Sequence, residues 1–315
     1  MTSAASAGIV VNSTPTPSDL ATALNPSGLQ ITAVTVLGGA PGQIGTYADF
    51  SLAPITIADG IVLSSGDVTQ MGPPADPVLD FPQPSYDMGT PGTLEFDAYG
   101  STPLPGGGTL IENFFSSNDV AAIQVDFALD NDSQVQFDFV FGTVEFPYWT
   151  SLYTDAFLVF LDGVDPASQI TFDRNGNPVQ VGVSFTSLVS TDDLNTAFAF
   201  PHGLLVKLTT TTAVLPSGDH TIRFEMGDVN DHILDSAVFI SRLRTGTGHV
   251  GTEPEHGDVN GDGRRDGRDV QSFVEVLMGV DLDQYHRIAA DMNDDGSVDV
   301  LDVLPFVDCL SANDC

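Results

Sequence analysis

The chain of 315 residues is long enough for one large domain with a small companion. It carries 43 acidic against 9 basic residues, a net charge of −34 with Lys207 its one lysine, which argues against nucleic acid or anionic membrane as partner, since both need cationic contacts. Hydrophobic residues at 42% with 20 phenylalanines argue against disorder and for a sizeable packed core.

The opening "MTSAASAGIVV" lacks the basic segment of a signal peptide, so export is inferred from composition and from the loops described below. No run of 18 apolar residues is present, so no spanning helix is expected. A short helix is predicted at "SDLATAL" with Ser18 as its cap. From Ile31 to Leu243 the dominant pattern has period two. In "VQFDFVF", Val135, Phe137, Phe139 and Phe141 point one way and Gln136 and Asp138 the other; in "TIRFEM", Ile222, Phe224 and Met226 oppose Arg223 and Glu225. Similar runs at "LQITAVTVL", "ITIADGIVL", "AAIQVDFAL", "DAFLVFLDG", "VQVGVSF", "GLLVKLT" and "SAVFISRL" are separated by turns rich in Gly, Pro, Asn and Asp. The pattern predicts a mainly β, antiparallel β-sandwich over residues 1–244. Residues 71–117 interrupt it with proline and glycine and read as a long loop, with a short strand at "TLEFDAYG".

The order of motifs "GIVLSSG" (60–66), "AAIQVDFAL" (121–129), "FDFVFGTVEF" (137–146), "YTDAF" (153–157) and "HTIRFEMGDVNDHILDSAVF" (220–239) resembles the choice-of-anchor L domain, a family of secreted bacterial surface domains. The resemblance implies extracellular or cell-surface display and no known chemistry. Its usual FGSEEY signature has Thr143, Val144 and Phe146 substituted here, and Thr154 replaces an asparagine. Glu145, Asp155, Asp228, Asp231 and Asp235 lie within these motifs beside strand ends. If they converge they form a third calcium site, because clustered carboxylates need a cation or protonation to coexist; the alternative is a set of solvated turn acids.

"TGTGHVGTEPEHG", residues 245–257, has the composition of a linker to a C-terminal module at 258–315. That module opens on "DVNGDGRRDGRD", with oxygen side chains at loop positions 1, 3, 5, 9 and 12: Asp258, Asn260, Asp262, Asp266 and Asp269. Gly263 falls at position 6, and the carbonyl of Arg264 serves position 7. A second copy places Asp291, Asn293, Asp295, Asp299 and Asp302 at the same offsets, with Gly296 at position 6 and the Ser297 carbonyl at 7. Calcium takes six to eight hard oxygen ligands, and a twelve-residue loop supplies them from alternate positions around a glycine turn. Without metal so many carboxylates repel each other, so folding is expected to depend on Ca²⁺. An apolar segment follows each loop, and Val270, Phe273, Val274 and Leu277 have the spacing of one helical face.

Two loop-helix units 33 residues apart, each closing on Asp where an EF-hand has Glu, resemble the dockerin type I repeat pair. That resemblance implies a module folded around two calcium ions that plugs into a cohesin domain, with loop positions 10 and 11 helping to choose the partner. Those positions are Gly267, Arg268, Val300 and Leu301, which depart from the hydroxyl pair common in cellulosomal dockerins. The partner implied is a cohesin-like domain on another subunit or a neighbouring copy of the same protein.

No Gly-x-Ser-x-Gly elbow, His-Glu-x-x-His motif or P-loop is present, and the six histidines, His202, His220, His232, His249, His256 and His286, are scattered and read as surface or turn residues. No catalytic residue is assigned. The rival reading is a carbohydrate-binding or glycoside-hydrolysing module delivered by its dockerin. "PYWTSLY" gathers Tyr148, Trp149 and Tyr153, whose faces suit glycan stacking, although Trp149 reads better as a lid over the core. Cys309 and Cys315, six residues apart, would close a disulfide in an oxidising compartment or remain free thiols.

Overall fold

The computed structural model describes residues 9–52, 55–71, 84–145, 149, 153–173, 176–182, 189–190, 198, 203–205, 207–261 and 265–312. The strands in chain order are β1 (Val10–Asn12), β2 (Gln30–Gly38), β3 (Ile44–Ala48), β4 (Ser51–Leu52), β5 (Ile55–Thr56), β6 (Asp59–Ser64), β7 (Ser117–Leu129), β8 (Gln134–Thr143) and β9 (Ala156–Leu161). They continue as β10 (Val179–Gln180), β11 (Val189–Ser190), β12 (Gly203–Leu205), β13 (Leu208–Thr211), β14 (Gly218–Val229), β15 (Ser236–Gly246) and β16 (Gly251–Pro254). The helices are α1 (Pro17–Ala23), α2 (Leu94–Gly100), α3 (Asp269–Leu277), α4 (Gln284–Ala290) and α5 (Val303–Ala312).

Two antiparallel sheets face each other, as the alternation predicts. One runs β1-β3-β6-β15-β8-β12-β11, with β13 bridging β8 and β16; the other runs β10-β9-β14-β7-β2. Phe137, Phe139 and Phe141 of β8 meet Phe157 of β9 and Ile222, Phe224 and Met226 of β14 in the core between them. Phe224 packs edge-on against Phe137 with centroids 5.1 Å apart.

Both sheets are also covered on their outer faces, which simple alternation does not foresee. Val140 and Phe239 join Tyr47 and Phe50 in a second apolar cluster. Phe96, Tyr99 and Ile111 cover Val120, Ala122, Leu158 and Phe160 of the other sheet. The polar partners in the alternation are therefore buried: Asp138 is 1% and Glu225 0% exposed. Asp138 is satisfied by Arg242, by Arg244 at 3.0 Å and by the Thr209 hydroxyl at 2.9 Å.

Four local expectations are corrected. "TLEFDAYG" is the helix α2, not a strand: the Thr93 side chain caps the Phe96 amide, and Phe96 and Tyr99, three apart, form the buried face. Helix α1 is capped by Thr16, two residues earlier than Ser18, in a reciprocal capping box with Asp19. Residues 245–257 are not a free linker, since they hold the end of β15 and the whole of β16, whose register runs from Gly251 opposite Thr211 to Pro254 opposite Leu208. The unpaired edge of β13 decides this, not composition. In α3 the buried face is Asp269, Phe273 and Val276, which leaves Val270 and Val274 exposed.

The C-terminal helices enclose a small separate core of Val259, Phe273, Val276, Tyr285, Ala289, Ala290 and Phe306.

Candidate functional site

The two C-terminal loops are built alike. In the first, Asp269 accepts the Asn260 amide on one oxygen at 3.1 Å and the Asp266 amide on the other at 2.8 Å. In the second, Asp302 accepts the Asn293 amide at 3.2 Å and the Asp299 amide at 2.8 Å, with Met292 adding a third bond at 2.8 Å. The position-12 carboxylate thus braces positions 3 and 9 of its own loop in both copies. Asp291 at position 1 accepts the amides of Asp295 and Gly296 at 3.1 and 2.9 Å, and Asn293 and Asp295 cap the amides two residues on. Gly296 has φ +84°, the left-handed conformation that suits glycine at the turn. Ser297 follows at position 7.

These side chains fit calcium. Asp258, Asp269 and Asp302 are fully buried and Asp291 is 3% exposed, so carboxylates close both ends of each loop out of solvent. Every donor is a hard oxygen, and a carboxylate oxygen that accepts one amide keeps a lone pair for metal; in Asp302, whose Oδ1 accepts two amides, that oxygen is Oδ2. Asp262, Gly263 and Arg264 lie outside the described residues.

Around the loops an apolar surface faces solvent. Val300 and Leu301 at positions 10 and 11 of the second loop are 77% and 62% exposed, and Leu304 one turn on is 67% exposed. Val270 and Val274 on α3, Met278 at its C-terminal cap and Val307 on α5 extend the exposed apolar set. At the equivalent positions of the first loop are Gly267 and Arg268, the latter paired at 2.8 Å with Asp266.

The acids of the large domain fall into two groups. Glu145 follows β8, Asp155 precedes β9, Asp228 ends the bulged strand β14 and Asp231 lies just beyond it. Glu145, Asp155 and Asp228 are fully buried. Asp155 accepts the Val229 amide at 3.1 Å and the Ser236 hydroxyl at 2.7 Å. By contrast, both oxygens of Glu145, both of Asp228 and Oδ2 of Asp231 are buried without a hydrogen-bond partner. Burial, with Asp155 and Asp231 adding like charge, pushes Glu145 well above the usual carboxylate range, and burial pushes Asp155 up to about 8 and Asp231 to about 6. Asp235 lies near enough for its charge to bear on Asp228, but its own two oxygens accept the Tyr86 amide at 2.9 and 3.1 Å and fasten the segment from residue 84 onward.

Two further triads bring donor atoms within 4.8 Å of one another: Asp87, Asp119 and His232, and Glu253, His256 and Asp294. In the first, Asp119 is already engaged by the Met88 and Thr90 amides at 3.1 and 2.7 Å.

At the junction between sandwich and C-terminal helices, Glu255, its side chain 11% exposed, draws Lys207, Arg242 and Arg265 together. Burial alone would raise its pKa, but the three cations outweigh burial and hold it well below the usual range. Sequence reasoning missed this cluster, because four residues distant in sequence and each unremarkable alone meet only through β13, β15 and β16.

The remaining expectations divide. Trp149, read as a core lid, is 37% exposed and joins none of the described core clusters. Tyr148 and His202 lie outside the described residues. His220, read as a surface residue, is 7% exposed, packed on Phe127 with centroids 5.6 Å apart and bonded to Asp162. Cys309 is disulfide-bonded, and the sequence offers one other cysteine, Cys315, outside the described residues.

Compared with known proteins, residues 10–243 match the choice-of-anchor L domain and residues 256–306 the dockerin type I domain. No curated protein and no solved structure gives a match.

Proposed function

Because the chain belongs to the choice-of-anchor L family and continues into a dockerin type I module, we propose that it is a secreted, non-enzymatic surface or matrix protein attached through its calcium-ordered C-terminus. Dockerins are protein-assembly modules, and the finer reading concerns what this one meets. The observation that carries it is the solvent exposure of Val300, Leu301 and Leu304 beside a braced calcium loop. Apolar side chains held out by a rigid loop suit a protein partner, since a cluster of this kind on a free surface is a docking signal. The partner is a cohesin-like domain or a second copy of this chain, with Gly267, Arg268, Val300 and Leu301 in contact.

The test keeps the chain whole, because truncation before β16 would strip a strand from the sheet. Light scattering in millimolar calcium and in chelator, on the wild type and on Val300→Asp/Leu301→Asp, is paired with capture by a panel of cohesin domains. Growth in mass or capture that needs calcium and is lost in the variant supports the reading. Identical behaviour of both chains in both conditions sinks it.

Half-exposed Trp149 favours a second reading, glycan binding by the large domain. Glycan-array binding abolished by Trp149→Ala, with docking intact, would support it.

A further inference from the structure

We propose that Glu145, Asp155, Asp228 and Asp231 bind one calcium ion inside the large domain, at the end of the sandwich where the two sheets meet. The proposal is independent of the docking reading, which concerns the C-terminal loops. Glu145 leaves β8 of the nine-stranded sheet, while Asp155 enters β9 and Asp228 closes β14 of the five-stranded one. One ion held between them ties the sheets together where no strand passes from one to the other.

The decisive observation is the set of orphaned oxygens. Glu145 and Asp228 are each 0% exposed, and none of their four carboxylate oxygens accepts a hydrogen bond of ordinary geometry, although the Asp155 amide lies beside Glu145 and the Ser65 hydroxyl beside Asp228. Buried polar atoms are paired in the great majority of cases, and leaving a carboxylate unpaired costs far more than leaving a hydroxyl so. Among the described residues the ion pairs of lysine and arginine lie elsewhere: Lys207, Arg242 and Arg265 on Glu255, Arg244 on Asp138, and Arg223 on Glu95 and Glu225. Protonation lowers the charge and lets one carboxyl donate to a neighbour, as between Asp228 and Asp155, but each carboxyl brings one proton for two oxygens and leaves oxygens of the cluster unpaired. A divalent cation answers both.

The ligand set is all oxygen, which selects a hard ion. Calcium takes six to eight oxygens in flexible geometry, whereas magnesium demands near-octahedral coordination and keeps several waters, which a buried carboxylate cluster does not readily house. Asp155 fits as an oriented ligand, since Val229 and Ser236 fix its carboxylate from behind. These four acids do not reach the mutual 4.8 Å spacing of the two triads described above. Asp235 is left out of the set because the Tyr86 amide takes both of its oxygens.

The experiment uses the full chain. Calcium per chain is measured by metal analysis after equilibrium dialysis, on the wild type and on the charge-neutral variants Asp228→Asn and Glu145→Gln. Terbium, a calcium surrogate, is read in parallel through emission sensitised by Trp149, whose amide donates to the Glu145 carbonyl at 2.8 Å. The expected result is one calcium more than the two C-terminal loops hold, terbium emission on tryptophan excitation that calcium displaces, and loss of both in Asp228→Asn. Affinity at this site should fall at least about tenfold, the lower end of what even a supporting group contributes. Asp302→Asn, which damages a C-terminal loop, should leave the tryptophan-sensitised signal in place. Wild-type chain that binds only the calcium of its loops and gives no tryptophan-sensitised terbium emission overturns the proposal, whether or not the variants fold.

Discussion

Phe273 and Phe306 stack face to face, with ring centroids 4.0 Å apart and planes 5° from parallel. Each is the fourth residue after the closing aspartate of its loop, Asp269 and Asp302, so the stack joins the two repeats at equivalent points. Helices of this length are marginal alone, and the shared core of which this pair is the centre must hold them. Phe306→Ala should therefore cost about 3–5 kcal/mol. Circular dichroism across a calcium titration should show the helical gain shifted to higher calcium for the whole module, not for half of it.

The closing carboxylates make a sharper prediction. Asp302 accepts three backbone amides and is fully buried, so Asp302→Asn replaces an acceptor by an amide that faces N–H groups. Calcium affinity of the second loop should drop by at least about tenfold, as loss of a supporting group alone does. Asp294→Asn, at a loop position that supplies no ligand, should leave affinity close to wild type. Calorimetric titration separates the two, and equal losses would show that charge density, not the brace, holds the ion.

The same contrast explains what was legible in the sequence. The two C-terminal loops could be laid out residue by residue because they are local: twelve positions contain all the offsets, and the closing Asp269 and Asp302 bond to amides of their own loops. The sandwich was legible as alternation, since Phe137, Phe139 and Phe141 do face one core. What escaped was decided by the other side of each strand. Asp138 and Glu225 looked like solvent-facing partners until the segments covering the outer faces were placed, and β16 looked like linker until the edge of β13 was known to be open. Convergence of Glu145 with Asp228, 83 residues further along the chain, depends on topology. The motifs flagged these acids, but only the fold orphans their oxygens. Val270 and Val274 had the right spacing for burial and are exposed, because α3 turns Asp269, Phe273 and Val276 inward instead.

The junction should fail in acid. Burial would raise the pKa of Glu255, but Lys207, Arg242 and Arg265 hold it well below its ordinary 4.5. A carboxylate depressed in the folded state contributes stability that is fully present above the unfolded value and is lost as pH falls through the folded one. Glu255→Gln leaves Lys207, 3% exposed, without its counter-charge and should cost about 3–5 kcal/mol at neutral pH. The gap in melting temperature between wild type and variant should close only in strong acid. A gap that stays constant down to such pH would mean that packing, not the ion cluster, accounts for the loss.

His220 gives the opposite sign. Its Nδ1 lies 2.6 Å from Asp162 and its Nε2 2.8 Å from the Pro216 carbonyl, so both ring nitrogens face acceptors and the doubly protonated ring satisfies both. Burial opposes the charge, yet the Pro216 and Asp162 bonds prevail and raise the pKa above its ordinary 6.5. A raised histidine contributes stability that is complete below the unfolded pKa and disappears as pH rises through the folded value. Once neutral, the ring turns one lone pair toward an acceptor, a mismatch of about 1–3 kcal/mol when buried. Denaturant titrations at fixed calcium should show wild type losing stability from pH 6.5 upward relative to His220→Gln. Parallel pH profiles for the two chains would place the ring as a neutral spacer between Phe127 and the Asp162 turn.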